Sequence, residues 1–144
     1  MNQQEKAIQN FETMNCNQAV LSVFGPQYGI TEEECFSLGL SFGGGMARQG
    51  KTCGAVTGAY LVIGLWCARQ SPDKSFQKKL AVEKVAEFNK MFEANHKSLD
   101  CKTLLNYDLS KPDEAIKAGE LGLFDTICPK LVGSSAEILT EILV

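Results

Sequence analysis

A strongly apolar stretch without a charged residue covers positions 52–68, and it constrains the fold of this 144-residue chain more than any other feature. It lies between Lys51 and Arg69 and contains three glycines, Gly54, Gly58 and Gly64. A bilayer crossing needs about 20 consecutive apolar residues, and this stretch is shorter. It therefore predicts a central helix that is buried in a protein core, with no membrane span.

Most of the remaining chain has apolar residues at helical spacing, and no segment shows the alternation that predicts a strand. Gly54 and Gly58 share one helix face, so the backbone of a second helix can approach closely there. The pattern predicts helices at 3–14, 16–24, from the capping box at Thr31 to about 42, 54–69, 73–95, near Cys101, from Pro112, and from Cys128 with an interruption at 133–135. We therefore expect an all-α fold, a single compact multi-helix bundle of six to eight helices that forms one domain over residues 1–144.

Composition narrows the class of protein. The net charge is −3 and no basic stripe is present, which argues against nucleic acid as the main partner. The first residues contain no apolar signal-peptide core, so we expect a cytoplasmic protein. In a reducing cytosol, the six cysteines are more often reactive or metal-binding thiols than a disulfide framework.

Four of the cysteines stand at the opening of a predicted helix: Cys16, Cys53, Cys101 and Cys128. Because a helix N-terminus favours negative charge, we expect lowered thiol pKa values at these positions. Lys51 and the backbone N–H groups that follow Gly54 could stabilise a thiolate or a cluster at Cys53. No CxxC pair is present, so only the tertiary fold could assemble a site from these residues.

The other two cysteines and the only histidine have simpler interpretations. Cys35 and Cys67 lie on apolar helix faces and are expected to fill the core. His96 falls near the C-terminus of the longest predicted helix, a position that the helix dipole alone favours. A cysteine–histidine hydrolase is therefore not the preferred interpretation.

Several short segments, taken in order, resemble the C-GCAxxG-C-C family of proteins described as redox-active. These segments are Cys16 followed by Gln18-Ala19-Val20, the loop Gly44-Gly45-Met46, Cys53-Gly54-Ala55-Val56-Thr57-Gly58, Cys101 with Leu104-Leu105 and Asp108, and Cys128. The resemblance implies a helical protein whose site consists of Cys16, Cys53, Cys101 and Cys128, and a functional link to a transporter. A related helical module is similar to the part of split-Soret cytochromes that holds an iron–sulfur cluster. No CxxCH motif is present, so no haem is implied.

Three hypotheses follow, and the sequence leaves open whether the protein is an enzyme. In the first, Cys53 is the reactive thiolate, and Cys16, Cys101 or Cys128 resolves it in a reversible disulfide exchange with an unknown redox partner. In the second, the four thiolates bind an iron–sulfur cluster or a zinc ion. In the third, the cysteines only pack in a structural or adaptor protein. A homodimer could form through the glycine face or the last amphipathic helix.

Overall fold

The computed structural model describes all residues 1–144, and it is built from α-helices. Nine segments are α-helical, of which α8 is a single four-residue turn. They are α1 (Gln3–Asn10), α2 (Cys16–Phe24), α3 (Glu32–Gly39), α4 (Gly54–Cys67), α5 (Lys74–His96), α6 (Cys101–Leu105), α7 (Pro112–Glu120), α8 (Leu123–Thr126) and α9 (Cys128–Ile142). A 3-10 helix, Gly25–Tyr28, follows α2. The all-α prediction is confirmed.

Local sequence sets where several of these helices begin. Asn15 caps α2 and forms a capping box with Gln18, and Thr31 does the same for α3 with Glu34. In each pair the cap side chain accepts an N–H of the first turn, and the second side chain accepts the N–H of the cap. The capping box predicted at Thr31 is confirmed.

The central helix α4 is buried as predicted, and α2 packs across its glycine face. A Cβ atom added at Gly58 would lie 2.9 Å from the carbonyl oxygen of Asn17, and one at Gly54 would lie 2.9 Å from Cys16 Cβ. Only glycine allows the backbone of α2 to come this close. Since α2 of the same chain covers this face, the face is not available to a second copy of the protein.

The predicted interruption of the last helix at 133–135 is wrong, because α9 is continuous. Its small residues allow close packing instead. A Cβ at Gly133 would lie 2.8 Å from Ile8 Cδ1 of α1. The Ser135 hydroxyl donates a hydrogen bond of 2.7 Å to the carbonyl oxygen of Ala55 in α4. Glycine and serine therefore fit α9 between two neighbours and do not end it.

Two other predicted helix ends also differ from the structure. Helix α1 ends at Asn10 and α3 ends at Gly39, so Phe42 lies beyond α3. The main core combines α4 with the buried Phe88 and Phe92 of α5 and with the apolar side of α9. No helix of the structure has the length and apolar character that crossing a membrane requires.

Candidate functional site

The four cysteines at helix openings converge on one cavity of about 570 Å3. Cys16, Cys101 and Cys128 are the first residues of α2, α6 and α9, and Cys53 is the N-cap of α4. Cys53, Cys101 and Cys128 are buried, with 3 to 6% of their surface exposed, and Cys16 is partly exposed. The fold thus gathers four thiols that are far apart in the sequence.

A short antiparallel contact holds Cys53 and Cys101 in place. Thr52 and Asp100 form an isolated β-bridge between the segments that precede α4 and α6. The N–H of Cys53 donates to the carbonyl oxygen of Leu99 at 2.8 Å, and the N–H of Cys101 donates to that of Lys51 at 2.7 Å. Both cysteines are therefore fixed through their own backbone.

The loop before this bridge has an unusual backbone that forms part of the cavity wall. Residues 44–48 all have positive φ, including the non-glycine residues Met46, Ala47 and Arg48 at 64°, 52° and 61°. A Cβ at Gly45 would lie 2.6 Å from Cys101 Cβ, so glycine is required where the loop touches α6. Left-handed conformations cost a non-glycine residue roughly 1–2 kcal/mol, which the surrounding contacts must offset.

Cys16 and Cys128 form a thiol pair with unequal acidity. Interaction with the Cys16 side chain lowers the pKa of Cys128. The same interaction, together with burial and the neighbouring thiols, raises the pKa of Cys16 well above its ordinary value. Cys128 is thus the thiol of this pair that ionises first.

The other two thiols are held in their neutral form. Burial raises the pKa of Cys53 to about 11, although the N–H groups of Ala55 and Val56 act in the opposite direction. Burial and the nearby Cys53 and Cys128 raise the pKa of Cys101 to about 12. The lowered pKa predicted from the helix openings is therefore wrong for Cys16, Cys53 and Cys101. Burial outweighs the helix N-terminus at Cys53 and Cys101, and the interaction with the Cys128 side chain is the largest cause at Cys16.

The two residues predicted to support Cys53 behave differently. Gly54 lines the cavity, where its missing side chain makes room for Cys16. Lys51 is exposed and does not line the cavity, and its backbone pairs with the loop and with Cys101. The cation that lines the cavity is Arg48, which acts to lower the pKa of Cys101. Sequence reasoning missed Arg48 because the left-handed loop that places it has no sequence pattern of its own.

Cys35, Cys67 and His96 lie outside the cavity, as the core interpretation predicts for the two cysteines. Cys35 and Cys67 are buried in the main core. His96 packs on Phe92 with ring centroids 4.6 Å apart, and burial lowers its pKa. No cysteine–histidine pair lines this cavity.

All six cysteines are free thiols. No group of three or more histidine, cysteine, aspartate or glutamate side chains is arranged so that it could hold one metal ion. The geometry therefore supplies four free thiols around a shared space.

Comparison with known proteins identifies the family. No curated protein and no solved structure matches the chain. The family model described as "Putative redox-active protein (C_GCAxxG_C_C)" matches residues 14–142, which include all four cysteines of the cavity. The match confirms the resemblance seen in the sequence, and the chain belongs to the C_GCAxxG_C_C family.

Proposed function

We propose that this protein is a thiol-based redox protein in which Cys16 and Cys128 form a reversible disulfide. The observation that carries the proposal is that these two thiols line one cavity and interact through their side chains, which lowers the pKa of Cys128. A thiolate is the attacking form in disulfide exchange, so Cys128 is the first nucleophile. This assignment differs from the sequence-based expectation that Cys53 attacks, since the pKa of Cys53 is raised to about 11.

The reaction needs a disulfide as oxidant. The Cys128 thiolate attacks one sulfur of the disulfide R–S–S–R, forms a mixed disulfide and releases one RS⁻. Cys16 then loses its proton to the departing RS⁻ and attacks Cys128 Sγ. The second RS⁻ leaves and takes up the proton that ionisation of Cys128 released. Two electrons pass from the Cys16–Cys128 pair to R–S–S–R, which becomes two R–SH molecules.

Mild oxidation tests the pair directly. We expect stoichiometric diamide to remove two titratable thiols, to lower the mass by two hydrogens and to link the Cys16 and Cys128 peptides. Dithiothreitol should restore both thiols. Cys16→Ser and Cys128→Ser should each abolish this disulfide, whereas Cys67→Ala, which removes a core thiol, should retain it. A disulfide that joins a different pair, or unchanged thiols, would refute the proposal.

A second candidate function is binding of an iron–sulfur cluster by Cys16, Cys53, Cys101 and Cys128. The observation in its favour is that these four thiols line one cavity, and four cysteine thiolates are the usual ligand set of a cluster. The cluster would supply one-electron transfer. Ligand cysteines must lose their protons, so assembly of the cluster would release protons. A single zinc ion fits less well, since no three of the side chains are arranged around one ion.

Iron and acid-labile sulfide analysis of protein purified without oxygen separates the two candidates. The thiol mechanism predicts a colourless, iron-free protein that still forms the Cys16–Cys128 disulfide. The cluster predicts visible absorption with iron and sulfide in comparable amounts, both lost in Cys53→Ser. If oxidants leave every thiol unchanged and neither iron nor zinc is bound, the cysteines have only a packing role.

A further inference from the structure

We infer that the cysteine-lined cavity is a binding site for a small apolar molecule that carries one anionic group, with Arg48 as the anchor for that group. Binding of such a molecule does not require the disulfide chemistry. If the protein carries out the proposed thiol reaction, the inference also gives the class of oxidant. The oxidant would be a small disulfide with an anionic substituent, and this part of the inference rests on the proposed function.

The size and walls of the cavity suit an apolar ligand. Its volume of about 570 Å3 falls within the range of roughly 300–1,000 Å3 that small-molecule sites occupy. Beyond the cysteines, most of the wall is hydrocarbon, contributed by Phe11, Leu104, Leu105, Leu109, Phe124 and Leu131. An apolar molecule that displaces water from these side chains gains about 25 cal/mol for each Å2 that it buries.

The charge of the lining selects an anion. Arg48 is the only charged side chain of the lining, and no aspartate or glutamate lines the cavity. Asp100 and Asp125 lie near Cys101 and Cys128 but remain outside the lining. Arg48 also has no carboxylate partner, because the structure contains only the ion pairs Lys84–Glu87 and Lys111–Glu114. Arg48 is exposed, so its guanidinium is free to pair with the anionic group of a molecule bound in the cavity.

The backbone of the loop determines where Arg48 lies. Its N–H donates to the carbonyl oxygen of Gly43 at 2.9 Å, and its φ is 61°. A Cβ at Gly44 would lie 2.8 Å from Arg48 Cγ, so the side chain runs directly over the bare Cα of that glycine. Strained backbone of this kind is often found where a protein positions a ligand.

Binding of two unreactive probes to the reduced protein tests the inference. The probes are 1-naphthoate and its neutral counterpart 1-naphthalenemethanol, measured by isothermal titration calorimetry. We expect naphthoate to bind at least about tenfold more tightly, as one charge-assisted hydrogen bond would produce. Arg48→Met should reduce the affinity for naphthoate to that for the alcohol. Arg48→Lys should retain most of the difference in affinity between the two probes. Lys51→Met removes a neighbouring exposed cation and should change neither affinity.

Equal affinity for the two probes, no saturable binding, or an unchanged preference in Arg48→Met would overturn the inference. High salt gives a readout on the unmodified protein, because it should weaken naphthoate binding and leave the alcohol unaffected. Failure of the proposed function would be seen separately. Diamide treatment that leaves all thiols unchanged refutes the Cys16–Cys128 disulfide, whereas naphthoate binding is measured on the reduced protein and does not depend on that disulfide.

Discussion

Replacing Gly58 with leucine is expected to abolish the cooperative folding of this protein. A Cβ at position 58 would lie 2.9 Å from the carbonyl oxygen of Asn17, 3.2 Å from its Cα and 3.2 Å from Val20 Cβ. Two of these three atoms belong to the backbone of α2, so no rotamer change can relieve the clash. Overpacking by smaller groups already costs about 1–3 kcal/mol. A leucine should therefore consume a large part of the roughly 5–15 kcal/mol that stabilises a typical domain.

Urea denaturation checks this prediction against a substitution in the same helix. Gly64 also lies in α4, but a Cβ there would meet no atom within 4 Å. Gly64→Leu should therefore stabilise the protein by about 0.5–1 kcal/mol, through helix propensity alone. The two leucine variants should differ by at least about 3 kcal/mol in free energy of unfolding. Equal stabilities would contradict the packing of α2 on α4 on which the position of Cys16 depends.

The features predicted correctly from the sequence are those that local chemistry specifies. The uncharged stretch predicted α4, the spacing of Gly54 and Gly58 predicted a close helix contact, and Thr31 with Glu34 predicted the start of α3. Each depends on a few neighbouring residues whose steric or hydrogen-bonding properties leave few alternatives. The family could be identified for a similar reason, because its cysteines occur in a fixed order along the chain.

The features that the sequence did not predict depend on distant contacts. Gly133 and Ser135 have low helix propensity, and only the adjacent α1 and α4 explain why α9 continues through them. Left-handed backbone is unfavourable for non-glycine residues such as Met46, Ala47 and Arg48, so they adopt it only where other contacts support it. Hydrogen bonds such as the one from the Lys51 N–H to the Gly45 carbonyl oxygen, at 3.0 Å, hold the loop in that conformation. The thiol pKa values likewise follow burial, which the tertiary fold determines.

Alkylation should reveal the unequal acidity of the four thiols, with Cys128 reacting first. At pH 7.5 a thiol of pKa 9 is about 3% ionised, and one of pKa 11 about 0.03%. The pKa of Cys128 is lowered from the ordinary value of 9.0, and the pKa of Cys53 is raised to about 11. Their thiolate populations therefore differ at least about a hundredfold. The greater nucleophilicity of the more basic thiolate offsets about tenfold of this difference. Both side chains are similarly buried, at 5% and 3% exposed. Iodoacetamide should therefore modify Cys128 at least about tenfold faster.

Variants at position 16 test whether the Cys16 side chain is the cause of the lowered pKa of Cys128. Cys16→Ala removes the Cys16 thiol, so the pKa of Cys128 should rise and its alkylation at pH 7.5 should slow about threefold or more. Cys16→Ser keeps a hydroxyl donor and should retain the fast rate. With rising pH the rate at Cys128 should level off first, because its pKa is lowered, while the rate at Cys53 should rise until about pH 11. Mass spectrometry of peptides from timed samples gives each rate. Faster modification of Cys53 than of Cys128 would assign the nucleophile to Cys53 and leave the Cys16–Cys128 pair without its proposed role.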